Sequence, residues 1–258
     1  TWFGTVVVFS MAMAVTLPAR ADLMASYGHE NAADRLQDDT GNGNTLTNVN
    51  AVGFVAAPID SDFFYFEVGD TVAQFSGSEY LQVPDGVYAD GSFTFTGLVN
   101  TAQSGAFQTI LSSSRFRLQR AAYSSWNDGE PVLNMSVVTG GDNNDWVACD
   151  FEVGEWYFVA LRYDQSTNEL KSFIQGASGV WSPTTNDVTA PTGFNDLTNI
   201  TLGRNVSSVG GPDNWNGMID SARFYSTALS NAELKSVFFE FSVPEPSSIG
   251  LLAVCLCS

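Results

Sequence analysis

Histidine is almost missing from this chain: His29 is the only one among 258 residues. A Ser-His-Asp or Cys-His arrangement would have to use it. No nucleophile elbow lies near it, and its place at the end of a predicted strand reads as a solvated strand-end residue. Cations are also scarce, with 10 Lys+Arg against 28 Asp+Glu and a formal charge of −18. No basic patch exists to neutralise phosphates, which excludes a nucleic-acid partner. Such acidity suits divalent cations or salty surroundings, and solubility alone is the plainer reading. Cysteine offers little. Cys255 and Cys257 lie in an apolar C-terminal run, which leaves Cys149 alone in the globular part. Neither a disulfide framework nor a zinc-site spacing can be built from that set.

What is present favours strands. Hydrophobic residues make up 44% and aromatics 13%, with 19 Phe, 23 Gly and only 15% charged residues. These proportions suit strands joined by tight turns, and a chain of this length fits one all-β domain. Residues 22–29 alternate as a first strand, and Asp38 to Asn44 form a loop rich in turn formers. Further strands are predicted at 92–99, 107–114, 116–121 and 132–138. Asn127-Asp128-Gly129 and Gly140-Gly141 supply turns. Residues 155–164 and 169–175 form a hairpin across 165–168. Asn216 to Tyr225 reads as a strand buried on one face. Ser230 and Glu233 then form a capping box for a short helix that buries Leu234, Val237 and Phe238.

The closing segment carries a recognisable pattern. Gly217, Ile219, Asp220, Arg223, Tyr225, Leu229, Ser230 and Glu233 match G-x-I-D-x-x-R-x-Y-x-x-x-L-S-x-x-E. That pattern resembles the end of the LamG-like (laminin G, concanavalin A-like) jelly-roll family. Five other stretches are similar to the same family in the same order: the Asp38–Asn44 loop, Ala73–Pro84, Ser92–Val99 (where Leu98 replaces the family's Trp), Trp156–Asp164 and Ile200–Arg204. The resemblance implies an all-β jelly-roll β-sandwich of two antiparallel sheets with a short C-terminal helix, spanning residues 22–242. Glycosidases that share this sandwich carry an E-x-D-x-E strand, which places two carboxylates on one face. The nearest stretch here, Asp150-Phe151-Glu152 with Glu155, has the wrong order and falls in a predicted turn. The expectation is a protein that is not an enzyme.

The two ends read as targeting segments. Residues 1–21 are apolar up to Leu17, and Ala19-Arg20-Ala21 then offers an A-x-A cleavage site, as in a secretory signal peptide with its basic start missing. Residues 243–258 hold Pro244-Glu245-Pro246 and then the apolar run from Ile249 to Cys257. This resembles a PEP-CTERM sorting tail, which implies an exosortase-type sorting machinery, transient membrane association, and export to the surface or surroundings of a Gram-negative-type bacterium.

Candidate chemistry is placed on loops. Calcium takes several oxygens from carboxylates, amides and carbonyls. Asp38–Asn44, Asp142–Asp145 and Asp213–Asn216 with Asp220 are the oxygen-rich clusters. LamG-like domains often bind calcium, so Asp38, Asn44 and Asp220 are named as a shared metal site with calcium as candidate cofactor. Loop geometry alone also explains Asp and Asn there. Aromatic faces stack on sugar rings, so Trp126, Trp146, Trp181 and Trp215 are named as ligand-binding residues, with packing over the sandwich ends as the alternative. The functional expectation is a secreted or cell-surface module that binds carbohydrate such as exopolysaccharide. The alternatives are a structural matrix protein without a small ligand and, behind it, a glycoside hydrolase.

Overall fold

In a computed structural model, the alternating strands pair into two antiparallel sheets. The structure describes residues 23–30, 33–58, 64–88, 91–104, 107–121, 131–138, 142–148, 151–176, 182–183, 188–190, 194, 197–206 and 213–242. Strands are numbered along the chain. The first sheet holds β1 (Leu23–Tyr27), β3 (Gly53–Ala56), β4 (Thr71–Ser76), β6 (Phe93–Thr101), β11 (Trp156–Asp164), β12 (Glu169–Gln175), β13 (Ser182–Pro183), β14 (Val188–Thr189) and β16 (Asn216–Tyr225). The second holds β2 (Thr47–Val49), β5 (Tyr80–Gln82), β7 (Gln108–Ser112), β8 (Phe116–Ala121), β9 (Val132–Val138), β10 (Asp142–Ala148) and β15 (Thr201–Leu202). The first runs β13-β12-β11-β6-β16-β4-β3, and the second runs β10-β9-β8-β7-β15-β5-β2.

The period of two decides what each face carries. In β8, Phe116 and Leu118 enter the core between the sheets, while Arg117 and Gln119 take the alternate positions. In β9, Leu133, Met135 and Val137 enter the same core. Aromatic rings fill its centre: Phe93 packs on Phe116 at 5.7 Å, Phe194 at 6.2 Å and Tyr88 at 4.3 Å between centroids. Each such ring contributes on the order of 1.5–3 kcal/mol by leaving water.

The closing strand β16 sits centrally. One edge pairs with β6; the other pairs first with β4 and then with β1. Helix α1 (Asn231–Ser242) follows, and its capping box is formed as expected. Ser230 N–H donates to Glu233 Oε2 at 2.7 Å, and Glu233 N–H donates back to Ser230 Oγ at 3.3 Å. Leu234, Val237, Phe238 and Phe241 then bury a second apolar layer against Leu98, Trp156, Phe158 and Phe173 on the outer face of the first sheet, together with Phe64 and Phe66.

Two antiparallel sheets and a short closing helix match the expected sandwich. β8 and β9 coincide with the predicted strands, and the 156–175 hairpin pairs Asp164 with Glu169. Two readings are corrected. Asp142–Asp145 is not a loop but the first half of β10, paired with β9 through Asp142↔Val138. Two Asn and two Asp in a row suit a turn, whereas here the neighbouring strand supplies a complete backbone ladder. His29 is not solvated: it is 2% exposed, with Nδ1 2.7 Å from the Arg35 carbonyl and its ring 5.3 Å from Phe54. Burial lowers its pKa, so the neutral ring is favoured.

Candidate functional site

The second sheet has two unlike faces. Toward the core it is apolar except for Arg120, which is 1% exposed and donates from Nε to the Phe151 carbonyl at 3.1 Å; on the other side, register places a band of polar side chains side by side. Ser112 lies opposite Arg117, Thr109 opposite Gln119, and Gln119 opposite Asn134, while Thr201 lies opposite both Ser112 and Gln82. Gln119 Nε2 donates to Asn134 Oδ1 at 2.8 Å, and Ser136 Oγ donates to the same oxygen at 3.1 Å. Ser112 Oγ and Thr201 Oγ1 donate to the Arg204 carbonyl at 2.7 and 2.8 Å, and Val206 N–H donates to Ser112 Oγ at 3.0 Å. The 204–206 segment is thereby tied across one end of the band.

The band is screened from solvent, since Thr109, Ser112, Gln119, Asn134 and Thr201 are 0% exposed. Its single ion pair among the described residues joins Arg117 Nη1 to Asp213 Oδ2 at 3.7 Å. Burial raises the Asp213 pKa, and the Arg117 charge opposes that shift. Two atoms stand out. Thr109 Oγ1 and Gln119 Oε1, on register partners, are buried and have no hydrogen-bond partner. An orphaned buried oxygen costs about 1–3 kcal/mol. A hydroxyl group, which both donates and accepts, would satisfy them.

The named tryptophans fare differently. Trp126 and Trp181 lie outside the described residues. Trp146 is on β10 rather than a loop, and its backbone lies opposite Asn134 of the polar band. Trp215 is corrected: it is 0% exposed, its Nε1 donates to the Met218 carbonyl at 3.3 Å, and its ring lies 6.4 Å from Phe151 in the inter-sheet core. A ring packed on both sides offers no face to a sugar.

The named metal trio separates as well. Asp38 and Asn44 are neighbours, but the Asp38 carboxylate serves the chain itself. It accepts from the backbone N–H of Ser26, Thr40 and Asn44 at 3.1, 3.0 and 3.2 Å, and from Thr40 Oγ1 at 2.7 Å. Burial pushes its pKa up, yet these hydrogen bonds outweigh it and hold the carboxyl below its ordinary range. Asn44 Nδ2 donates to the Met24 carbonyl at 2.8 Å. Asp220 instead lies opposite Leu98 of the helix-covered layer, so it faces away from the inter-sheet core. It is 5% exposed, Ser221 Oγ donates to its Oδ2 at 2.9 Å, and its Oδ1 has no partner. Burial pushes its pKa up to about 8, against the hydrogen bonds from Ser221 and with smaller help from the Glu30 and Asp70 charges. Arg223, three residues on, pairs with Glu240. Among the described residues no three His, Cys, Asp or Glu side chains converge as a metal cage. Oxygen is the hard donor that calcium takes, and Asp220 Oδ1 has no partner, whereas Asp38 is already saturated.

The loops drew attention away from the strands. Arg117, Gln119, Asn134 and Ser136 sit at alternate positions of F-R-L-Q-R-A and V-L-N-M-S-V-V, where polar residues inside well-formed strands mark the second face.

Two facing antiparallel sheets with one polar and one helix-covered outer face define a jelly-roll β-sandwich. The chain belongs to the concanavalin A-like lectin/glucanases superfamily, whose sequence profile matches residues 75–235. Among solved structures it is similar to domain 4 of an extracellular arabinanase from Geobacillus stearothermophilus, in complex with arabinotriose. That likeness has 20% identity and a TM-score of 0.58, over 84% of this chain and 98% of that one. It is also similar to a botulinum neurotoxin type C chain whose cell entry depends on two ganglioside molecules. There the identity is 14% and the TM-score 0.58, over 86% of this chain and 52% of that one. A third is the carbohydrate-binding module of a Ruminococcus gnavus sialidase bound to α2,3-sialyllactose, with 19% identity, TM-score 0.50, and 64% and 95% coverage. No curated protein matches the chain.

Proposed function

We propose that this chain is a carbohydrate-binding module that works without catalysis, with the polar face of the second sheet as its glycan site. The observation that carries the reading is the orphaned pair of Thr109 Oγ1 and Gln119 Oε1, set beside Asn134, Ser136 and Arg117. Both residues are 0% exposed, so a glycan would reach these oxygens only by displacing what covers them, and its hydroxyls would then supply the missing donors and acceptors. The similar domains that hold arabinotriose and sialyllactose support the same class of ligand. Export and sorting through the 243–258 tail, with polysaccharide at the cell surface as partner, complete the reading. Calorimetric titration with arabino-oligosaccharides and exopolysaccharide fractions tests it. Binding that falls at least about tenfold in Gln119→Met, with folding retained, supports the site. Silence across polysaccharides favours the structural matrix protein, and turnover of a glucan would restore the hydrolase.

A second component of the proposal is calcium at Asp220, with Glu30 and Asp70 drawn toward it. The unpartnered Asp220 Oδ1 favours it. A ligand that prefers the folded state raises the unfolding midpoint. A midpoint that rises from EDTA to calcium, and no longer rises in Asp220→Asn, supports it; identical midpoints remove the metal.

A further inference from the structure

The large apolar side chains exposed among the described residues are Tyr65, Val68, Val153 and Phe239. Two of these four, Tyr65 and Val68, lie on the 65–68 segment, whose backbone meets the last turn of α1, and a third, Phe239, lies on that helix. Tyr65 N–H donates to the Phe241 carbonyl at 2.9 Å, and Val68 follows three residues on. The neighbours beneath are anchored, since Phe64 packs on Phe238 at 6.1 Å and Phe66 on Trp156 at 5.0 Å. The patch is therefore held on a rigid layer with Tyr65 51%, Val68 86% and Phe239 56% exposed. Isolated exposed apolar residues need no explanation, but a cluster beside the exit of an apolar segment does.

That segment follows directly. Six residues, Val243 to Ser248, separate the helix end from the run Ile249 to Cys257. Fully extended they reach about 20 Å, so the patch stays within one linker length of the start of the run. Glu67, Asp70 and Glu240 on the same two elements are set against Lys235 and the Arg223 that pairs with Glu240, which leaves one net negative charge. We propose that Tyr65, Val68 and Phe239 form a seat that rests on the interface of a zwitterionic bilayer while the 249–257 run is inserted in it. Aromatic residues suit that boundary, and the net negative charge disfavours anionic lipid. The inference rests on the reading of the tail as membrane-directed, and the test separates the two.

The full chain is mixed with phosphatidylcholine vesicles, floated, and compared with the free chain by hydrogen exchange. Amides of residues 65–70 and 239–242 should exchange about tenfold more slowly on vesicles. The double variant Tyr65→Ser with Phe239→Ser should still float and lose that protection. A chain that does not float overturns the tail reading and the seat with it. A chain that floats without protection overturns the seat alone. Protection already present without vesicles would show the run folding back or copies associating, and equal protection on phosphatidylglycerol-rich vesicles would show that these acidic residues do not face lipid. Either result overturns the proposal.

Discussion

Thr109 lies directly opposite Gln119 across β7 and β8, and each presents a buried oxygen with no partner. A fold selected only for packing has little reason to retain such a pair. Gln119→Met removes the orphaned oxygen, which returns about 1–3 kcal/mol, and loses one hydrogen bond to Asn134, which costs about 1 kcal/mol. Asn134 Oδ1 keeps its Ser136 donor. The expected result is stability from unchanged to about 2 kcal/mol above the parent, measured in urea, together with loss of glycan binding. A large loss of stability instead would mark the band as structural.

Trp215 behaves in the opposite way. It fills the inter-sheet core at 0% exposure, and its backbone N–H donates to the Gly203 carbonyl at 2.8 Å. Trp215→Ala should destabilise the domain by about 3–5 kcal/mol, through a cavity. Denaturant unfolding should show this before any binding assay is interpretable. Trp215→Phe, which keeps most of the ring volume, should recover much of the loss and leave glycan affinity unchanged.

The closing strand shows how much could be read from sequence. Ile219 and Phe224 both face the inter-sheet core and Tyr225 the helix-covered layer, although five positions separate the first two and strict alternation would part them. A regular strand would put Asp220 and Arg223 on opposite faces. A bulge between them, with Ser221 at φ 50°, turns both toward the helix-covered side. No alternation pattern announces a bulge, so the environment of Asp220 was not legible. The same holds for β10, whose D-N-N-D start is turn-like until β9 pairs with it, and for Trp215, whose polar neighbours in sequence conceal an apolar cage in space. Loop composition reports local geometry; burial is decided by strands distant in sequence.

Gly217 is where the pattern has a strict cause. Its φ is +148°, and an added Cβ would lie 2.1 Å from the Asn100 carbonyl oxygen and 2.9 Å from Thr101 Cα. Both obstacles are backbone of β6, which cannot step aside without breaking its pairing with β16. Gly217→Ala should cost more than about 3 kcal/mol. Gly77→Ala, with φ +99° and nothing within 4 Å of the added carbon, meets only the dihedral penalty. It should cost about 1 kcal/mol, so that chemical unfolding of the two variants separates the clash from the dihedral cost.

Asp220 gives the fold a pH dependence whose sign is fixed by its burial. Its folded pKa is raised from 3.8 to about 8, first by desolvation and then by Glu30 and Asp70. The folded state therefore holds a proton that the unfolded chain gives up. Its contribution is fully present below the unfolded value and declines as pH rises toward about 8, with a ceiling of about 1.4 kcal/mol per pH unit. Asp220→Asn removes that titration while keeping the shape. Thermal unfolding from pH 5 to pH 9 should show the parent losing midpoint faster than the variant, with the variant ahead at the alkaline end. Calcium should reverse the order in the same series, since a cation favours the ionised carboxylate that burial disfavours. Parallel pH curves for the two proteins would mean that Asp220 titrates at its ordinary value, and that the carboxylates around it have found another way to share their charge.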